Sequence, residues 1–257
     1  DHYTTDEFFV GYYETSHNSS SVLYIEFEDD AEHFKANLAE IFATNVALIL
    51  ESLSKQHELE NTQKELLYIV GEAIEARSKE TGAHVHRVAL ICELLSKKLG
   101  LSDVFISAIR LAAHLHYIGN NVTPGNLLHK PGQLDEEARE TINGQADAGF
   151  QLLSKSKKSV SKLGARLAHY HHENWDGTGY PDGLRGQEIP LEARIMAIAN
   201  VFDSLESGRC DEEIWCDGDI KSYLIEQREI KFDAKIIDVF VENYDEFCQI
   251  RIENPDE

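Results

Sequence analysis

The spacing of hydrophobic positions changes character along the chain. Between residues 7 and 28 it alternates. EFFVGYYE and SVLYIEFE, both rich in β-formers, flank a turn-like SHNSS, which predicts a β-hairpin with a longer loop. A lone hairpin is marginal in water, so this one is expected to complete a sheet. From about Asp30 to Arg77 the period becomes helical. Phe34, Leu38, Ile41, Phe42, Asn45, Leu48, Ile49 and Leu53 recur at three- and four-residue steps, and Leu59, Leu66, Leu67, Val70 and Ile74 continue the stripe. No Pro interrupts it, and Gly71 is its only Gly. A helix of this length usually has a partner. Two arrangements fit: a long helix that connects two domains and forms a parallel homodimer, or two shorter helices folded back on one core.

Residues 78–250 carry repeated amphipathic segments, predicting helices at 83–98, 102–115, 135–143, 145–155, 159–172, 190–206, 217–228 and 233–245. Asp103 and Asp135 sit in first turns, where a carboxylate favours the helix dipole. Gly100 fits a helix end with a restart at Ser102. Two loops, 119–133 and 173–190, hold most of the Gly and Pro, and loops of that length in a helical domain tend to be functional. The fold class expected is therefore mainly α, with a β-hairpin and a long connecting helix in front.

Composition narrows the function classes. The chain has 257 residues, with 24 basic against 46 acidic side chains and a net charge of -22. That field repels nucleic acid and anionic membranes, so neither is an expected partner. No run of 18 apolar residues is present, so no membrane span is expected. The opening DHYTTDEFFV has no basic and no apolar targeting region, and it begins in mid-pattern without Met, as a piece of a longer protein would. Cys92, Cys210, Cys216 and Cys248 form no CxxC pair and read as reduced thiols, which points to the cytoplasm.

The placement of the 12 His changes the picture more. Glu80 and His84 lie four apart, on one face of a helix. His114 and His116 end a second helix. His171 and His172 are adjacent at the end of a third, before a Gly-rich loop. His is the commonest transition-metal ligand, and carboxylates complete such sites. Singly, each pair reads as a surface pair or a polar cap. Together, feeding two long loops, they can form a di-metal centre.

The string HHENWDGTGYPDGLRGQEIPLEARIMAIANVFDSL (His171 to Leu205) closely resembles the signature of HD-GYP domains. RSKETGAHVHRVA resembles the first helix of that domain, and LHYIGNNVTPGNLLHKPGQL its HD segment. The resemblance covers about residues 64–250, the HD-GYP-type domain. Residues 1–60 resemble the end of the GAF-like domain that often stands between a receiver domain and an HD-GYP domain in two-component response regulators.

The family resemblance implies a metal-dependent phosphohydrolase acting on cyclic di-GMP through two or three metals, often iron or manganese. It implies Glu80, His84, His116, His171 and His172 as retained ligand positions. It also implies losses. Tyr117 stands for the bridging HD Asp, Asn120 for the lysine after it, Gln145 for the His of an HPxxG helix, and Asn200 for the last Asp ligand. A neutral phenol or amide does not offset the repulsion of two cations, so the expected cofactor is none or one weakly bound divalent metal. Glu173, His86 and His114 are alternative ligands. Lys130, Arg185 and Arg209 are the basic residues suited to a nucleotide phosphate, although Cys210, Asp211 and Glu212 follow Arg209. Gly179, Tyr180 and Pro181 keep the GYP loop, which in the family contacts diguanylate cyclase (GGDEF) domains and otherwise simply fixes a turn. Three functions remain open: a silent signalling module acting by partner contact, a residual phosphodiesterase, and a cyclic di-GMP receptor without hydrolysis.

Overall fold

A computed structural model describes residues 2–4, 8–14, 20–26, 33–76, 82–128, 135–207 and 215–256. The chain divides into two compact units, Asp1–Lys64 and Glu65–Glu257.

In the first unit the alternating segment forms β2 (Phe8–Glu14) and β3 (Ser20–Glu26), paired antiparallel with Phe9 opposite Ile25 and Gly11 opposite Leu23. The expected hairpin is thus present, with SHNSS lying largely outside the described residues. A short β1 (His2–Thr4) adds on the other side of β2, giving the sheet order β1-β2-β3. Successive side chains in a strand alternate faces. Phe9, Leu23 and Ile25 share one face and cover Ala39 and Ala43, while Tyr12, Val22 and Tyr24 are exposed. Ala39 and Ala43 belong to α1 (His33–Glu75), one unbroken helix of 43 residues.

The second unit is helical. Its elements are α2 (Gly82–Lys98), α3 (Asp103–Ala113), α4 (Gly125–Leu128), α5 (Glu136–Ser154), α6 (Ser159–Tyr170), α7 (Leu191–Ser207), α8 (Asp217–Glu226), α9 (Ala234–Glu242) and α10 (Tyr244–Glu253). Short 3-10 turns occur at Ile118–Val122 and Gly186–Glu188. Local chemistry sets several starts. The Ser102 hydroxyl accepts from the Phe105 N–H, and the Asp135 and Asp233 carboxylates accept from the Ala138 and Lys235 N–H groups. Gly100, at φ +70, closes α2 just before that restart.

Two expectations are corrected. Segments 135–143 and 145–155 are one helix, α5, which passes straight through Gly144. A Cβ at Gly144 would meet nothing within 4 Å, so the glycine is a tolerated weak point and not a break. Residues 244–253 form α10, although only Tyr244 and Phe247 of it are buried.

The core of this unit lies between α2, α3, α6 and α7, closed at one end by α8, α9 and α10. Leu95, Ile109, Leu167, Ile195, Phe202 and Phe240 are almost fully buried in it. Helix α5 packs on α6 and on the 118–122 turn. This arrangement brings the start of α2, the end of α3, the end of α6 and the middle of α7 to one place.

Candidate functional site

His84 stands on the first turn of α2 and is buried. Its Nδ1 lies 2.7 Å from Asp203 Oδ2 on α7. Asp203 is completely buried and also accepts from Arg87 Nε at 2.7 Å and a second guanidinium nitrogen at 2.9 Å. Burial alone would raise the Asp203 carboxyl, but His84 and Arg87 hold it below the usual carboxylate range. Arg87 is itself fully buried, and its remaining nitrogen donates to the Asn254 carbonyl and the Asp256 carboxylate.

The backbone after α3 turns sharply and delivers His116 and Tyr117 inward. Gly119 makes this approach possible, because a Cβ there would lie 1.9 Å from the Gln145 carbonyl oxygen of α5. His116 Nδ1 lies 2.7 Å from the Ala113 carbonyl, and His171 Nδ1 lies 2.7 Å from the Leu167 carbonyl. A carbonyl can only accept, so both rings carry a proton on Nδ1 and turn Nε2 away from that bond. The same holds for His84 against the ionised Asp203. Three imidazoles therefore hold the Nδ1 proton that a metal ligand bound through Nε2 keeps.

The centre between them is neutral. The Tyr117 ring sits 3.9 Å from that of His116, 5.7 Å from His171 and 6.1 Å from His84. Its hydroxyl donates to Asn200 Oδ1 at 3.0 Å. Gln145 points its amide nitrogen at His172 Nε2, 3.2 Å away, and at the Tyr180 hydroxyl, 3.5 Å away. The lone pair of His172 is thereby taken up by the side chain that stands at the lost imidazole position. Among the described residues, no three His, Cys, Asp or Glu side chains are arranged to hold one metal ion.

The loop above this centre is held by a buried carboxylate of its own. Glu173 Oε1 accepts from the Asp182 and Gly183 N–H groups at 2.8 and 3.1 Å, and Oε2 from Leu184 at 3.0 Å. Gly179 lies so close to residues 172–174 that a Cβ would meet backbone atoms at 2.3–2.6 Å. The Tyr180–Pro181 peptide is cis, and Tyr180 stacks on His172 at 4.6 Å. The loop's base is tied down by the Trp175 and Asp176 N–H groups, which donate to the Lys231 and Ile230 carbonyls.

The sequence-selected residues divide accordingly. His84, His116, Tyr117, His171, His172, Gln145 and Asn200 come together, with Asn120 buried in the turn beside Tyr117. Glu80, Lys130 and Arg209 fall outside the described residues. Both oxygens of Glu173 accept from loop amides. His86 and His114 pack separately around Tyr68, their rings 5.3 and 6.0 Å from it. Burial lowers both imidazoles below their ordinary pKa. Arg185 is exposed on the loop and does not line the cavity beside the site.

That cavity, of about 190 Å³, is lined by His171, His172, Tyr180, Asn200 and a basic residue the sequence reading missed, Lys231. Lys231 comes from the turn between α8 and α9, and no local motif marks it. Glu75 was missed as well. It is fully buried near the end of α1, accepts from the Val85 N–H at 3.3 Å, and lies 3.7 Å from His84 Nε2. Asp203 carried a usable signal, being three residues beyond Asn200 on the same helix face.

Comparison with known proteins agrees with this geometry. The HD domain family profile matches residues 52–236. A 3'3'-cGAMP-specific phosphodiesterase 2 of Vibrio cholerae is 40% identical over 236 residues, covering 92% of this chain and 45% of that protein. A cyclic di-GMP phosphodiesterase response regulator of Xanthomonas campestris pv. campestris is 39% identical over 206 residues, covering 79% of this chain and 54% of that protein. The chain thus spans about half the length of the curated relatives it matches. Among solved structures, a cyclic GMP-AMP specific phosphodiesterase of V. cholerae superposes with a TM-score of 0.56 at 19% identity, over 73% of this chain and 49% of that one. An HD-GYP-type protein of Bdellovibrio bacteriovorus gives 0.51 at 23% identity, over 63% and 51%. With a profile match over most of its length, the HHENWDGTGYPDG loop and four imidazoles gathered beneath it, the chain belongs to the HD-domain family, in its HD-GYP type.

Proposed function

We propose that this chain is a signalling output module of the HD-GYP type whose site has given up two-metal phosphodiester hydrolysis, and that it acts through contact with a partner. One observation carries the reading: the Tyr117 hydroxyl is hydrogen-bonded to Asn200 at 3.0 Å in the middle of the His cluster. In active relatives the resemblance puts two carboxylates at these positions. Here a phenol and an amide satisfy each other with no net charge. With a phenol and an amide at these two positions and Glu75 the carboxylate beside His84, two divalent cations would lack much of the negative charge that offsets their repulsion. The donor set among the described residues does not fit a two-metal centre. Residual single-metal hydrolysis would have to use His84, His116, His171 and His172 with Glu80, and Glu75 is a further carboxylate near His84.

The GYP loop supports the partner role. Glu173, Gly179 and the turn at residues 230–231 hold its form through protein contacts. These contacts support a loop that keeps its surface for a partner such as a diguanylate cyclase domain when the centre below it holds no metal pair.

The relatives named for cyclic di-GMP and 3'3'-cGAMP raise a second reading, a receptor that binds without cleaving. Lys231 favours it, as a cation facing His171 and His172 in one cavity. The volume weighs against it. About 190 Å³ falls short of the roughly 300–1,000 Å³ of ordinary ligand pockets, and a cyclic dinucleotide is large among such ligands.

Elemental analysis after iron and manganese loading tests the leading reading. The expected content is well under one metal per chain. Two tightly held metals per chain, with hydrolysis of either cyclic dinucleotide, would overturn it. A chain carrying Tyr117→Asp and Asn200→Asp should gain metal relative to the parent.

A further inference from the structure

Within the first unit, α1 is apolar on two faces. Ala39 and Ala43 are buried against Phe9 of the sheet. At 100° per residue, positions 38, 41, 45, 48, 52 and 59 lie roughly opposite Ala43 on the helix. Leu38, Ile41, Leu48 and Leu59 on that side are 56–63% exposed, and Phe42 and Ile49 on its flank are 56% and 58% exposed. A monomer seldom exposes one continuous apolar patch beyond a few hundred Å². Six large half-exposed side chains lie along this side and its flank, more than singly scattered exposed residues would give.

We propose that a second copy of this chain covers this face, with the two α1 helices parallel and in register as a two-stranded coil. The spacing fits. Leu38, Asn45, Ser52 and Leu59 repeat every seven residues, and Ile41, Leu48 and Lys55 form the second column of the same seam. Charge selects the direction. One flank of the seam carries Thr44, Glu51 and Glu58, the other Phe42, Ile49, Gln56 and Gln63. A parallel pair sets Glu51 and Glu58 against Gln56 and Gln63 of the second copy. An antiparallel pair sets the Glu column against itself, where like charges repel, with Lys55 at 2.6 Å offsetting part of the Glu51 charge. Asn45 adds register, because a single Asn inside a seam is best satisfied by the same Asn of the other copy. Ser52 and Lys55 make the middle of the seam polar, which weakens the coil and sharpens its alignment.

The test is the solution mass of the chain across a dilution series, by light scattering or sedimentation. The parent is expected at twice the mass of one chain. Leu48→Glu with Leu59→Glu should reduce it to a monomer while the circular dichroism of the helices is unchanged, since these side chains are exposed in the single chain. With Cys210, Cys216 and Cys248 replaced by Ser, Asn45→Cys should yield on mild oxidation a disulfide-linked dimer that the same background with Asn45 intact does not form. A monomeric parent overturns the proposal and leaves this face to another protein. A dimer that survives the double substitution overturns the choice of face. An intact dimer that Cys substitution at Asn45 cannot link overturns the parallel register. None of these outcomes depends on whether the site binds metal.

Discussion

The centre of the site and the shell around it have treated buried charge in opposite ways. In the shell, charge is kept. Asp203 is ionised between Arg87 and His84, and Glu173 is ringed by three backbone N–H groups. In the centre, Tyr117, Asn200 and Gln145 stand where the family resemblance puts ionisable or metal-binding side chains, and they form neutral hydrogen bonds instead. Buried charge at Asp203 and Glu173 is compensated by groups of the chain itself, whereas the Tyr117–Asn200 and Gln145–His172 contacts bring no charge with them. That follows from the size of the desolvation penalty, which is several kcal/mol for an uncompensated ion.

This contrast can be broken from the outside inward. Arg87→Met is expected to have the largest effect. It leaves Asp203 buried with only His84, and should lower stability by about 3–5 kcal/mol, read as the denaturation midpoint. A loss under about 1 kcal/mol would mean that the shell charges are not compensated as described. Glu173→Gln should come next, at about 1.5–3 kcal/mol, since it weakens charge-assisted bonds to loop amides. Its signature is faster hydrogen exchange at Asp182, Gly183 and Leu184, with metal content unchanged. Tyr117→Phe should be smallest, at about 1 kcal/mol, the value of one neutral hydrogen bond. If it instead lost several kcal/mol, the centre would hold more than a neutral pair.

The same division explains what the sequence made legible. Helix periodicity marked α2, α3, α6 and α7 because each buries one clear stripe. It did not mark α10, where Asp245, Glu246, Arg251 and Glu253 leave only two buried positions. Gly144 was mistaken for a boundary because a glycine between two amphipathic stretches looks the same whether or not the helix continues. Within the site, the imidazoles and their neutral neighbours were legible through the length of the HD-GYP signature. The shell was less so. Arg87 and Asp203 are 116 positions apart, and Lys231 reaches the cavity from a turn with no motif. Pairings of that kind are made by tertiary packing and leave no local period. Glu75 was hidden for another reason: it lies at the end of a long helix whose other charges are mostly solvated.

The contacts of Arg87 with Asn254 and Asp256 also bear on how the domain is made. A ribosome delivers Arg87 early and Asp203 later, but the two remaining acceptors emerge some 50 residues after Asp203. At about 5–20 residues per second that is a wait of several seconds. Throughout that interval the guanidinium has its aspartate but not its full set of acceptors. Helices α8, α9 and α10 must all be synthesised before it is complete. Residues 254–256 thus serve as a latch on a buried charge made well before them, and a chain interrupted ahead of them would keep the Arg87–Asp203 pair without its outer acceptors.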